Sequence, residues 1–198
     1  VLFESRGARP RVDPGALVAA SAVVSGDVTI GTGSRIMHGA VVTAEDGPVV
    51  IGADVVVLEN AVIRGRAGHP TVIGDSVMIG PHAHLNGCAV GTGSFIATAA
   101  SLFPGSIVGD GAEVRINAVV QVNTRLPAGA VVPISWVAVG DPAQLFSPDR
   151  HDEIWAVQRT LDFVGTVYGV DPASSMADIM RSQSEFYGEH RGDIEIAD

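Results

Sequence analysis

The chain has 198 residues and a formal net charge of −10, with 46% hydrophobic but only 5% aromatic residues. That acidity argues against sequence-independent nucleic-acid binding, which needs a basic surface, and disfavours docking on anionic lipid. One cysteine excludes a disulfide scaffold within the chain, and no stretch is long and apolar enough for a membrane span.

Residues 1–16 are polar and carry Pro and Gly, and read as an N-terminal arm or lead-in strand. No signal peptide is evident, so the cytoplasm is the expected compartment, although Val1 in place of methionine points to a start further upstream. From Val18 an aliphatic residue returns every six positions. The series runs through Val24, Ile30, Ile36 and Val42, then Ile51, Val57 and Ile63, then Ile73, Ile79 and Leu85, and from Val90 to Ala138. A small residue follows most of these four positions later, as at Ala22, Ser34, Ala61, Ala83 and Ala100.

A period of six is the mark of a parallel β-helix in which each hexapeptide is one strand and one corner. The aliphatic residue points into a triangular prism and the small residue fits the crowded corner. The pattern predicts an all-β, left-handed parallel β-helix over 17–144, an exception to the right-handed crossover rule. Its roughly seven coils span about 34 Å at ordinary strand spacing. Cys88 falls in a small-residue slot and reads as core filler.

Two insertions break the phase, 43–50 and 64–72. Loops inserted into a rigid solenoid are the usual seat of function. Between Leu85 and Val90 the repeat is one residue short. Beyond the prism, 145–198 reads as a helical tail packing on the β-helix. The stretch 149–170 predicts a helix with Ile154, Val157, Leu161 and Val164 on one side and Asp149, Asp152 and Glu153 at its N-terminus. The stretch 171–190 predicts a second helix, and the last residues read as frayed. Valines also fill outward slots, at Val23, Val41, Val50, Val56, Val62, Val119 and Val131, which implies a homotrimer burying one region from each subunit.

Rungs three apart stack on one face. One column is therefore Thr43, Arg64 and Asn86, and another is His38, Glu59 and Pro81, both beside the insertions. Zinc catalysis needs about three nitrogen or carboxylate ligands and an open position. His38 with Glu59, or His82 with His84, offers at most part of such a set, and Arg64 would repel a cation. Arg64 suits a small anion or carboxylate ligand, or else a salt bridge with Glu59 across a subunit interface. His69 in the longer insertion, and His82 and His84, are the candidate general bases.

The segment VVIGADVVVLENAVIRG…HPTVIGDSVMIGPHAHLNGCAVGTGSFI resembles the gamma-class carbonic anhydrase family over roughly 40–143. The resemblance implies a left-handed β-helix trimer with a C-terminal helix and three histidines holding one catalytic metal between subunits. The matching positions here are Arg64, Pro81 and Asn86. Of the family's polar shell, Asn60 is unchanged, Glu59 and Glu45 keep a carboxylate, and Thr43 and Leu58 replace an arginine and a glutamine. His82 is one residue off, which turns its side chain to the other face. The expected protein is thus a metal-free relative without zinc or another cofactor, serving as a binding or assembly module. Its ligand would sit at Arg64, Glu59, Asn60, Asn86 and Thr43. One alternative is a hexapeptide-class acyltransferase using coenzyme A and His69, His82 or His84. The other is a carbonic anhydrase with a rearranged metal site.

Overall fold

In a computed structural model, which describes residues 1–196, the hexapeptides wind into a left-handed, three-sided parallel β-helix. The aliphatic series lines its interior: Ile30, Ile36, Ile51, Ile63, Ile73, Ile79, Leu85, Ile96 and Leu102 are fully buried. Ala22, Ala40, Ala61, Ala83 and Ala100 fill the corners at 0% exposure. At Ser34 and Ser94 the polar corner residue serves the backbone. The Ser34 hydroxyl donates to Gly52 O at 2.8 Å and accepts from Val55 N at 3.0 Å. Cys88 is buried, and burial pushes its thiol up to about 12.

Two faces of the prism are sheets of seven strands; the third has ten, of which the outermost two run antiparallel. The first sixteen residues take part. Leu2–Glu4 pairs in parallel with Val23–Ser25, and Arg11–Val12 with Val28–Ile30, while Leu2 and Val12 pack on the core. Most corners turn through a left-handed residue. Along one edge these are Gly39, Asn60, His82, Ala99, Asn117 and Ser135, with φ between 57° and 72°. Asparagine and histidine tolerate that region better than most residues.

The tail departs from the sequence expectation in two places. A single helix over 149–170 is broken into α1 (His151–Gln158) and α2 (Phe163–Tyr168). Asp162 causes the break: its backbone is left-handed, φ 49°, and its carboxylate accepts from Gly165 N at 3.1 Å, capping α2. Ile154, Val157 and Leu161 still share a face and pack in a second small core with Val139 and Phe146. Phe163 of α2 packs at a tilt against Phe103 of the prism, ring centroids 5.6 Å apart. Next comes α3 (Met176–Gly188), capped by Ser175, then a 3₁₀ turn over Glu189–Gly192.

The last residues, expected to fray, instead form the strand Ile194–Ile196 antiparallel to Leu2–Glu4. That strand satisfies the backbone groups of a sheet edge that the six-residue period does not reveal. Residues 197–198 lie outside the described ones. On the outer faces Val50 and Val131 are exposed, and Val23, Val41, Val56, Val62 and Val119 are half-buried. Leu17, Met78, Ile116 and Ile134 add further exposed apolar surface. No helix among the described residues is long and apolar enough to cross a membrane.

Candidate functional site

Parallel register sets Ser25 beside Thr43, Thr43 beside Arg64, and Arg64 beside Asn86, as the sixfold count requires. Both insertions leave the prism at the end of this column, one above the other. They pack so tightly that a Cβ on Gly65 would lie 2.0 Å from Gly47 O. The close stacking places Glu45, of the first insertion, directly against Arg64.

Glu45 is the hub of the site. Its side chain is 5% exposed and accepts three hydrogen bonds. Thr43 Oγ1 and Arg64 Nη2 each donate to Oε1 at 3.1 Å, and His190 Nε2 meets Oε2 at 2.8 Å. The network continues outward. His190 Nδ1 lies 2.8 Å from Asp193 Oδ2, and the Ser5 hydroxyl donates to Asp193 Oδ1 at 2.6 Å. Arg64 Nη2 also donates to the Tyr187 hydroxyl at 2.6 Å. Three segments, near residues 45, 64 and 190, thus meet at one buried carboxylate, and Ser5 joins them through Asp193.

Both ring nitrogens of His190 face carboxylate oxygens, which only accept, so both bonds form only when the ring carries two protons. The hydrogen bond to Asp193 lifts the His190 pKa, partial burial opposes it, and Glu45 reinforces it; the net shift is upward. Burial alone would raise the Glu45 carboxyl, but the bonds from His190 and Arg64 and their charges hold it below its ordinary value. Asp193 follows the same pattern: burial raises it, and Ser5, His190 and Arg6 bring it below normal.

The sequence-derived candidates separate on this frame. Thr43, Arg64 and Asn86 are brought together. Asn86 is buried and its Oδ1 has no hydrogen-bond partner among the described residues. Within the chain Arg64 pairs with Glu45 rather than with Glu59, because the stacked insertions put Glu45 in reach while Glu59 sits on a different corner. Glu59 and Asn60 stack with His38 and His82 along that corner, through Asn60 N to His38 O and His82 N to Glu59 O. Asn60 is exposed with φ 59°, so the turn itself accounts for an asparagine there.

His82 is likewise an exposed corner residue, and His38 is engaged by the Ser21 hydroxyl at 2.8 Å. His84 opens the strand His84–Asn86; burial and, secondarily, the charge of Arg64 lower its pKa and favour the neutral ring. His69 closes the second insertion through paired backbone bonds with Arg66. Tyr187 and His190 gave no sequence signal as partners of Arg64 and Glu45, since they lie more than a hundred residues away in chain order.

A zinc ion does not fit the residues at the family's ligand positions. Arg64 brings a cation already bonded to Glu45, Pro81 has no donor atom, and Asn86 offers a weakly ligating amide. Among the described residues no group of three or more His, Cys, Asp or Glu converges to hold a metal.

Fold and column together define a hexapeptide-repeat β-helix protein with a polar site where two stacked insertions meet a helical tail. No protein-family model matches the chain. Over 158 residues it is 38% identical to gamma carbonic anhydrase 1, mitochondrial, of Arabidopsis thaliana, a match covering 76% of this chain and 55% of that protein. It is 28% identical over 162 residues to the carnitine operon protein CaiE of Escherichia coli K12, covering 81% of this chain and 80% of that one. A solved structure, a hexapeptide transferase family protein from Anaplasma phagocytophilum, aligns with TM-score 0.48 at 26% identity over 93% of this chain and 97% of its own. By these matches and its fold the chain is a gamma-carbonic-anhydrase-like hexapeptide-repeat protein. It spans about half the length of the plant relatives in that group.

Proposed function

We propose that this protein is a homotrimeric, metal-free member of its family that does not hydrate CO2 and serves as a binding or assembly module. A small anion would bind at the subunit interface beside Arg64. The observation that carries the reading is the replacement of the ligand set by Arg64, Pro81 and Asn86, with Arg64 held in place by Glu45. Arg64 Nη2 is committed to Glu45 and Tyr187, which leaves the other guanidinium donors for a ligand. The exposed apolar side chains on the prism faces support association.

The test is metal content on protein purified without chelator, with a CO2 hydration assay on the same sample and mass by light scattering. Trimers with negligible metal and no hydration support the proposal. Stoichiometric metal with hydration would overturn it and assign ligation to His38, His82 or His84.

A further inference from the structure

A separate cleft of about 330 Å³ lies between the second insertion, α2 and α3. Its polar wall is Asp46, Arg66, His69 and Gln183, and Val167 and Phe186 supply an apolar side. The volume is at the lower end of the range for small-molecule sites.

Arg66 is the informative residue. It is 8% exposed, yet its charge is poorly matched. Its nearest carboxylate oxygen, Asp46 Oδ1, is 3.9 Å from Nε, and that oxygen already accepts from Ala67 N at 2.8 Å. The other contacts are long and neutral: Nη1 to the Tyr187 hydroxyl and Nη2 to Val167 O, both 3.3 Å, with the Phe186 ring centroid 5.1 Å away. A guanidinium has five N–H donors, and burying it without a close anion is costly. Across the cleft His69 spends its backbone groups on Arg66, while neither ring nitrogen has a partner among the described residues. Two side chains with spare hydrogen-bonding capacity therefore share one small cavity with an apolar wall.

We infer that this cleft binds a small organic monocarboxylate, its carboxylate on Arg66 and His69 and its carbon chain against Val167 and Phe186. A carboxylate completes the bonding of the Arg66 fork as neutral ligands cannot. Asp46 limits the ligand to one negative charge, because a second carboxylate would face it across the cleft. The cavity is too small to enclose a whole coenzyme A. The cleft is distinct from the site beside Arg64, and the Tyr187 hydroxyl, which accepts from both arginines, joins the two.

The experiment is saturation-transfer NMR titration of the full chain with butyrate, and with succinate as the dianionic control. Saturable butyrate binding, at least tenfold tighter than succinate, is expected. Arg66→Gln should weaken butyrate at least tenfold and His69→Gln severalfold. Asp46→Asn should narrow the preference over succinate. Should Arg66→Gln fail to fold, the His69→Gln and Asp46→Asn results still decide the matter. Absence of saturable butyrate binding, or binding indifferent to His69→Gln and Asp46→Asn, overturns the inference. Loss with Arg64→Gln alone would place the anion at the other site.

Discussion

Replacing Glu45 by Gln tests the hub directly, because the substitution keeps shape and one acceptor but removes the charge. Hydrogen bonds to charged groups contribute about 1.5–3 kcal/mol each. The Arg64 and His190 side chains are 22% and 32% exposed, so solvent screening puts both at the low end. With Gln, Arg64 keeps a neutral acceptor at about half the strength, while the doubly protonated His190 ring meets an NH2 group instead of an oxygen. The expected loss is about 2 kcal/mol near pH 6.

The pH dependence follows from the direction of each shift. The His190 pKa is raised in the folded protein, so its contribution is complete below its unfolded value and disappears as pH rises through the folded one. At pH 9 the neutral ring can accept from the Gln amide, and the loss should shrink below about 1 kcal/mol. Urea unfolding followed by circular dichroism at pH 6 and pH 9 measures both numbers. Amide exchange at Ile194–Ile196, just beyond the network, should accelerate in parallel. An equal loss at both pH values, or one under about 0.5 kcal/mol at pH 6, would refute the assignment of His190 as a charged partner of Glu45.

In the wild type, Glu45 and Asp193 are held below their ordinary values, so their contribution is present above those values and lost as pH falls through the folded ones; tail docking measured by limited proteolysis should therefore be tightest in a window bounded by carboxylate protonation below and His190 deprotonation above. The triple substitution R64H/P81H/N86H restores the ligand positions and should bring stoichiometric zinc by elemental analysis; a metal-free triple variant would sink the positional correspondence. Asn60→Gly should leave stability nearly unchanged while Asn60→Val costs about 1–3 kcal/mol by urea unfolding, because φ 59° strains a β-branched residue. Cys88, with its thiol pushed up to about 12 by burial, should resist iodoacetamide at pH 8 in the folded protein and react once unfolded; rapid native labelling would contradict its place in the core.

The prism was legible because its period is enforced at every rung: one aliphatic residue per six, with a small residue at the corner, leaves little freedom in register. Counting alone put Thr43, Arg64 and Asn86 in one column, and the structure has them as direct partners. What counting misses is anything set by packing between remote segments. The Arg64–Glu45 pair depends on how deeply two irregular insertions stack, and the His190 contact depends on where the tail returns. The break at Asp162 was obscured because the apolar spacing of Ile154, Val157, Leu161 and Val164 continues across it, while the left-handed cap reverses only one residue. Asn60 and His82 misled in the opposite way, as residue types that suggest chemistry but that a left-handed corner also favours.

The antiparallel strands at the two ends of the ten-stranded face, Ile194–Ile196 and Gln144–Phe146, have a colloidal consequence. A parallel solenoid offers at each end a strand edge with the same repeat as its interior, a ready template for another molecule to stack coaxially. On this face each terminal edge is occupied by a strand of opposite polarity, which breaks the parallel template. The flat sides of the prism stay open, while growth along its axis into fibres lacks a parallel template on its widest sheet.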